Sequence, residues 1–306
     1  MMYRHPAGPK TLVRQPDTSP SGPYRRIELC PVGATIGAMV RGADLRLPLD
    51  DETFEEIDRA LLEWKLLLFS DQHLTLDQHA AFAGRWGDIV DDQLLFSKKD
   101  NPVDNLVVFT RDADTVGLEN EWHSDGTFRE VPPMGTVLRA VEVPPLGDTL
   151  YADMAAAYDN LPQEIKDQID GLMALHDWSL GKYADKYGDR LEEFRRIVPP
   201  VEQPVVMSHP RTGRKTLFVN RLFTKSINGL DPDESDRLLD LLCRQAEVPE
   251  YQCRHRWQPG SIAFWDNLGV QHYGASDYYP QRRVMARAAI AGTTKPRAPV
   301  GHGQPV

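Results

Sequence analysis

His123 and Asp125 stand one residue apart in the stretch Trp122-His-Ser-Asp-Gly-Thr-Phe128. On an extended segment, side chains at i and i+2 point to the same face, so both could reach one metal ion. Two ligands do not hold a catalytic metal, and the best candidate for a third is His272 in Gln271-His-Tyr, 272 − 123 = 149 residues later. Two imidazoles and one carboxylate on one face of an octahedral ion leave positions open for small molecules, as in non-haem Fe(II) oxygenases. Two arginines follow. Arg283 lies 283 − 272 = 11 residues beyond His272, and Arg287 lies 287 − 272 = 15 beyond it. Their even spacing puts both on one face of a strand, where a planar guanidinium grips a carboxylate or sulfonate bidentately.

The elements that must position these groups follow from the hydrophobic pattern. Residues 1–26 mix Pro, Gly, Ser and Arg with almost no aliphatic residues and read as a flexible N-terminal arm. From Ile27 short strands begin. Asp50 or Asp51 caps a helix with Phe54, Ile57, Leu61 and Trp64 on its apolar face, Lys65–Phe69 reads as a buried strand, and a second helix starts near Thr75 and ends at Gly87-Asp88. Strands are expected at 106–110, 135–143, 203–207, 216–220, 251–257, 261–265 and 284–291. A helix after Asp231 should bury Leu238, Leu241 and Leu242. The loop-rich stretches 88–121 and 177–200 have the character of lids. The absence of an internal repeat or composition break within 27–292 predicts one domain, with 293–306 as a flexible C-terminal tail. Many short strands with Pro/Gly turns and a few helices predict a mainly β, double-sheet fold with helical insertions.

Composition narrows the function. With 41% hydrophobic and 26% charged residues in 306, the chain can build a sizeable core. A net charge of −10 argues against nucleic acid or an anionic membrane as partner, so an acidic small molecule would need a local arginine cluster. Three cysteines, with no Cys-x-x-Cys pair, exclude a disulfide framework. No apolar run approaches the roughly 20 residues of a membrane span, and no secretory signal is evident, so a cytoplasmic protein is expected.

Taken in order, these residues form a pattern. Trp122-His-Ser-Asp-Gly-Thr-Phe, Gly147-Asp-Thr-Leu-Tyr, His209-Pro-Arg-Thr-Gly, Leu217-Phe-Val-Asn, Trp257-Gln-Pro-Gly, Trp265-Asp-Asn and Gln271-His-Tyr through Arg287 resemble the TauD/TfdA (taurine / 2,4-D) family of Fe(II)- and 2-oxoglutarate-dependent dioxygenases. The resemblance spans about residues 27–292. It implies a double-stranded β-helix (jelly-roll) core, with His123, Asp125 and His272 as iron ligands. It also implies that Thr149 and Arg283 hold the distal carboxylate of 2-oxoglutarate, and that Arg287 takes the acidic group of the primary substrate. The implied reaction consumes O2 and 2-oxoglutarate, releases succinate and CO2, and hydroxylates a C–H bond of a small acidic substrate such as a sulfonate, sulfate ester or amino-acid derivative. The family also makes a homodimer or tetramer the expected assembly.

The chain departs from the taurine pattern where a second sulfonate-binding histidine would stand: it reads Gly87-Asp-Ile-Val-Asp-Asp92. An acid there would repel a sulfonate, and Asp91 or Asp92 could instead meet a cationic amine. Phe128, Trp178 and Phe218 are candidates for the substrate wall and equally for plain core. An isolated His-x-Asp among nine histidines is a weak signal, since histidine commonly serves as a satisfied polar residue. Only the ordered downstream His and Arg pair lifts it. His73, His79, His176, His209 and His255 read as structural or surface residues, and Trp64, Trp86 and Trp265 as core. Desaturation, epoxidation or cyclisation by the same oxidant, and a non-catalytic jelly-roll binding protein, remain alternatives at this level.

Overall fold

The computed structural model describes residues 8–13, 22–90, 106–115, 117, 119–179, 185 and 188–299. Its elements are β1 (Glu28–Pro31), β2 (Ala38–Arg41), α1 (Asp51–Trp64), β3 (Leu66–Phe69), α2 (Leu76–Ala83), β4 (Val107–Arg111), β5 (Gly135–Glu142), β6 (Thr149–Asp153), α3 (Met154–Asp159) and α4 (Gln163–Ile169). They continue with β7 (Met173–His176), α5 (Leu191–Ile197), β8 (Val201–Pro204), β9 (Val206–Ser208), β10 (Lys215–Leu217), β11 (Thr224–Ile227) and α6 (Pro232–Cys243). The last four are β12 (Gln252–His255), β13 (Ile262–Asp266), β14 (Val270–Gly274) and β15 (Arg283–Ile290).

Seven strands form one sheet in the order β1-β2-β3-β13-β5-β15-β4, and it faces a three-stranded sheet, β12-β6-β14. This is the double-sheet fold that the strand pattern predicts and the jelly-roll core that the family resemblance implies. Alternation assigns each side chain to a layer. On β13, Ile262 and Phe264 pack outward with Leu61 and Trp64 of α1 and Phe82 of α2, while Ala263 and Trp265 point between the sheets. On β15, Ala286, Ala288 and Ile290 pack on the helix side, and Met285 joins the inter-sheet core. Arg283 and Arg287 share the parity of Met285, so the strand that supplies the core also delivers both guanidinium groups inward.

Local signals set the helix boundaries. Asp50 accepts a hydrogen bond from the Thr53 amide at 2.8 Å, and Thr75 forms a reciprocal capping box with Gln78. The second helix stops at Ala83, before Gly87-Asp88, because Arg85 and Trp86 close tighter turns back to Phe82 and Ala83. In α6 the buried stripe runs through Leu238, Leu239 and Leu242, with Leu241 only partly covered. Lys65, expected in a strand, is the left-handed cap of α1 at φ 60°. Its buried ammonium donates to the Thr35 carbonyl at 3.1 Å and pairs with Asp153 at 3.2 Å, so the cap is held by charge as well as backbone geometry. Ordered contacts extend past residues 27 and 292: Glu56 accepts from the amides of Arg25 and Arg26, and Arg297 bridges to Ser208. Among the described residues no helix is long and apolar enough to cross a membrane.

Three buried histidines make stability depend on pH. Burial, and for His79 also the nearby Arg139 charge, pushes His79 down to about 3; burial brings His176 to about 3 and His255 to about 4. The unfolded chain binds protons on these rings near pH 6.5 and the folded chain does not, so stability is present above 6.5 and lost as pH falls towards 3. For one fully buried ring the loss between pH 7 and 5 is about 2 kcal/mol. We expect His79→Leu, in metal-free protein, to remove up to one proton from the pH slope of chemical denaturation over that range, whatever it does to stability at pH 7. An unchanged slope would contradict a neutral buried His79.

Candidate metal and 2-oxoglutarate site

His123 and His272 are held together by their own backbones. The His123 amide donates to the His272 carbonyl at 3.1 Å and the His272 amide returns the bond at 2.8 Å, a two-residue antiparallel bridge at the edge of β14. Directly paired residues project to the same side, and the two rings lie with centroids 4.2 Å apart. Ser124, pointing the other way, donates to the Val270 carbonyl.

Asp125 is placed by the turn between β13 and β14. Asn267 accepts from the Asp125 amide at 2.7 Å and donates to the Asp125 carbonyl at 2.8 Å and the Pro133 carbonyl at 3.0 Å. The chain then turns sharply at Gly126, where φ is 61° and an added Cβ would meet Pro133 Cδ at 2.9 Å. A buried polar network fixes the next residues: His176 and Asn220 both bond the Thr127 hydroxyl, and Gln203 donates to the carbonyls of Thr127 and Arg129.

The two oxygens of Asp125 have different surroundings. Oδ2 accepts from the Thr136 hydroxyl at 2.8 Å and pairs with Arg287 at 3.1 Å. Oδ1 faces His123 Nε2 at 3.8 Å and His272 Nε2 at 3.9 Å. Burial opposes ionisation of this carboxyl, but Arg287, His272, His123 and the Thr136 hydroxyl hold its pKa far below the usual range. His272 is pushed down to about 3, by burial first and by the His123 and Arg287 charges next, so it stays neutral. The Nδ1 of His123 lies 2.7 Å from the Glu121 carbonyl, which sets that nitrogen as the donor, so in the metal-ligating tautomer the lone pair is on Nε2. Two lone pairs and an anionic oxygen facing one another is unfavourable without a cation between them. The three side chains offer ligand atoms all within 4.8 Å of one another, so the donor set fits a divalent ion that takes two imidazoles and a carboxylate.

Around this triad, Thr149 lies on β6 opposite Gly274 and accepts from Trp257 Nε1 at 2.9 Å. Arg283 is 5% exposed, packs over the Tyr278 ring, and lies in the field of the Arg111–Glu119 ion pair. Of the aromatic residues expected at the wall, Phe128 and Trp178 belong to one buried cluster with Phe223, whose ring is 6.0 Å from His123. Phe218 instead joins Met207 and Leu268 and stacks on His176, one layer further back. Asp91 and Asp92 lie outside the described residues, as do parts of both expected lids. Trp265 is core, as expected, yet its ring is 4.7 Å from that of His272. Sequence reasoning missed Asn267, Thr136 and Phe223 as site residues; only Trp265-Asp-Asn hinted at the first. A cavity of about 440 Å³ lined by Phe54, Trp86, Met134, His209 and Leu268 includes no member of the triad, so its size does not mark the site.

A double-stranded β-helix carrying two histidines and a carboxylate defines the class of 2-oxoglutarate-dependent non-haem iron dioxygenases. The profile of the taurine catabolism dioxygenase TauD, TfdA family matches residues 26–289, and the chain belongs to that family. It is 34% identical over 285 residues to an (S)-phenoxypropionate/alpha-ketoglutarate-dioxygenase of Sphingobium herbicidovorans, covering 90% of this chain and 98% of that one. It is also 34% identical over 290 residues to an alpha-ketoglutarate-dependent sulfate ester dioxygenase of Pseudomonas putida, covering 90% and 91%. The crystal structure of AAD-2 in complex with Mn(II) and N-oxalylglycine superposes with a TM-score of 0.77 at 30% identity, covering 88% of this chain and 98% of that chain. The chain is therefore an enzyme that uses Fe(II), 2-oxoglutarate and O2.

Asn267 touches no ligand atom, so its effect on the metal must run through the Asp125 backbone. We expect Asn267→Ala to weaken Fe(II) or Mn(II) binding by about 10- to 100-fold, the usual range for lost supporting contacts. Calorimetric titration measures it; unchanged affinity in a folded variant would show that the turn does not position Asp125.

Proposed function

We propose that this enzyme hydroxylates a C–H bond of a small acidic molecule with an apolar body, coupled to conversion of 2-oxoglutarate to succinate and CO2. In this reading His123, Asp125 and His272 hold Fe(II), and Thr149 and Arg283 take the distal carboxylate of 2-oxoglutarate. Arg287 receives the acidic group of the substrate, and Phe128 and Trp178, backed by Phe218, contribute its apolar wall. Iron supplies the activation of O2; the chain's residues bind, orient and exclude water.

The observation that carries the reading is the contrast between two buried guanidiniums on one strand face. Arg287 lies against the Asp125 carboxylate, beside the triad, and Arg283 is four residues away, over the Tyr278 ring and in the field of Tyr151 and Glu119. In this reading the two guanidiniums receive two anions, one beside the triad and one further along β15. The aromatic ring of Phe223 against His123 favours a substrate with apolar bulk over a short zwitterion. The relatives named for phenoxypropionate and for sulfate esters point to compounds of that kind, acids in which an ether or ester oxygen is bonded to a carbon. Hydroxylation of such a carbon gives a hemiacetal-type product that collapses to a carbonyl compound and releases the phenol or the sulfate. A small-molecule substrate, a cytoplasmic setting and a homo-oligomeric assembly complete the proposal.

With Fe(II), ascorbate and 2-oxoglutarate, a panel of aryloxyalkanoates, alkyl sulfates and taurine should yield succinate in step with released phenol or sulfate for the first two classes. Taurine should be the poorest. No succinate above background across the panel, or His123→Ala protein behaving as wild type, would refute the reaction. Arg287→Gln should raise KM for the acidic substrate by about 100-fold, the scale of losing one partner of a buried charge pair. Substrate-free turnover of 2-oxoglutarate should fall far less. An equal loss in both would assign Arg287 to Asp125 alone.

A further inference from the structure

Tyr151 lies beside the proposed 2-oxoglutarate cradle with a hydroxyl that, among the described residues, has the Thr149 hydroxyl close by and no well-aligned hydrogen bond. It stands in the middle of β6, paired with Cys253 of β12 on one side and His272 of β14 on the other. Its parity is that of Thr149, so both side chains point between the sheets. The ring is fully buried, stacked at 25° on His272 with centroids 6.2 Å apart and 5.4 Å from Trp265. A phenylalanine would fill that space as well, so packing alone does not call for an oxygen there.

The phenol oxygen is buried and makes no well-formed hydrogen bond, and the same holds for Nε of Arg283. Leaving such atoms unpaired costs about 1–3 kcal/mol each, which is why buried tyrosine hydroxyls normally have a partner. A phenol keeps its hydrogen at neutral pH and so can donate, and the Arg283 charge and the Thr149 hydroxyl act on it from close by. The Thr149 oxygen already accepts from Trp257, which leaves its own hydrogen to give. The phenol, with Thr149 and the Arg283 charge around it, therefore has a hydrogen to donate, and among the described residues no well-aligned acceptor meets the phenol or the Arg283 Nε. The complement to that set is an anionic oxygen pair with several lone pairs, which a carboxylate provides.

We propose that the Tyr151 hydroxyl donates a third hydrogen bond to the distal carboxylate of 2-oxoglutarate, beside Thr149 and Arg283. This inference rests on the functional reading above. It makes Tyr151 a determinant of co-substrate choice: the enzyme should distinguish a 2-oxo acid with a second carboxylate from one without it partly through this phenol.

The test is calorimetric binding to Mn(II)-loaded protein, with no turnover. Tyr151→Phe should raise Kd for 2-oxoglutarate about 10-fold or more, as expected for a hydrogen bond to a charged group. It should leave Kd for 2-oxobutyrate, which has the same 2-oxo acid head and no distal carboxylate, within about twofold. Because the phenylalanine removes an orphaned hydroxyl, the melting temperature of the ligand-free variant should hold or rise. Equal 2-oxoglutarate affinity in the two proteins would overturn the proposal, and so would parallel weakening of both acids, which would assign Tyr151 to the metal end of the site. Wild-type protein that binds Mn(II) but not 2-oxoglutarate would sink the functional reading and this inference with it.

Discussion

A buried carboxylate that must stay ionised is the constraint around which the other features fall into place. Asp125 is 8% exposed, and an isolated charge at that depth would take up a proton rather than persist. Arg287 and Thr136 compensate it from one side only, which preserves the anion while leaving its second oxygen facing two imidazoles. The result is a concentration of negative charge and lone pairs at one point, in a place from which water is largely kept out. A divalent cation is the natural complement. The side that compensates and the side that binds come from different strands, so the site is assembled only when the two sheets close.

That closure explains the division of labour in the fold. The seven-stranded sheet carries the cations, since Arg283 and Arg287 lie on the inner parity of β15. The three-stranded sheet carries the neutral and anionic partners: His272 on β14, Thr149 and Tyr151 on β6, and the segment through His123 along its edge. Between them Leu138, Ala140, Ala263 and Met285 fill the gap with side chains that cannot compete for charge. A protein with a net charge of −10 thus keeps two buried guanidiniums between its sheets.

Legibility in the sequence followed the range of the interactions. His123 and Asp125 were readable because a two-residue spacing has a fixed meaning on extended chain, and Arg283 and Arg287 for the same reason. The helix caps at Asp50 and Thr75 were equally local. Asn267 was not readable, because its role depends on a turn 142 residues away meeting the Asp125 backbone. Lys65 looked like the first residue of an apolar strand; its left-handed conformation follows from the tight exit of α1 and from Asp153, which lies far off in the chain. Phe128 and Phe218 could not be ranked, since both are aromatic residues in apolar company and only packing separates the ring layer near His123 from the layer behind it. Tyr151 stands in the sequence only as the last residue of Gly147-Asp-Thr-Leu-Tyr, because an unsatisfied hydroxyl is a property of surroundings rather than of pattern.

The most direct measurement of the central claim, one metal held by His123, Asp125 and His272 with places left for 2-oxoglutarate, is an anaerobic titration followed by visible absorption. Adding 2-oxoglutarate to protein carrying Fe(II) should raise a weak visible band that saturates at one iron per chain and is missing in Asp125→Ala. No band in the wild-type protein, or the same band in the variant, would contradict it.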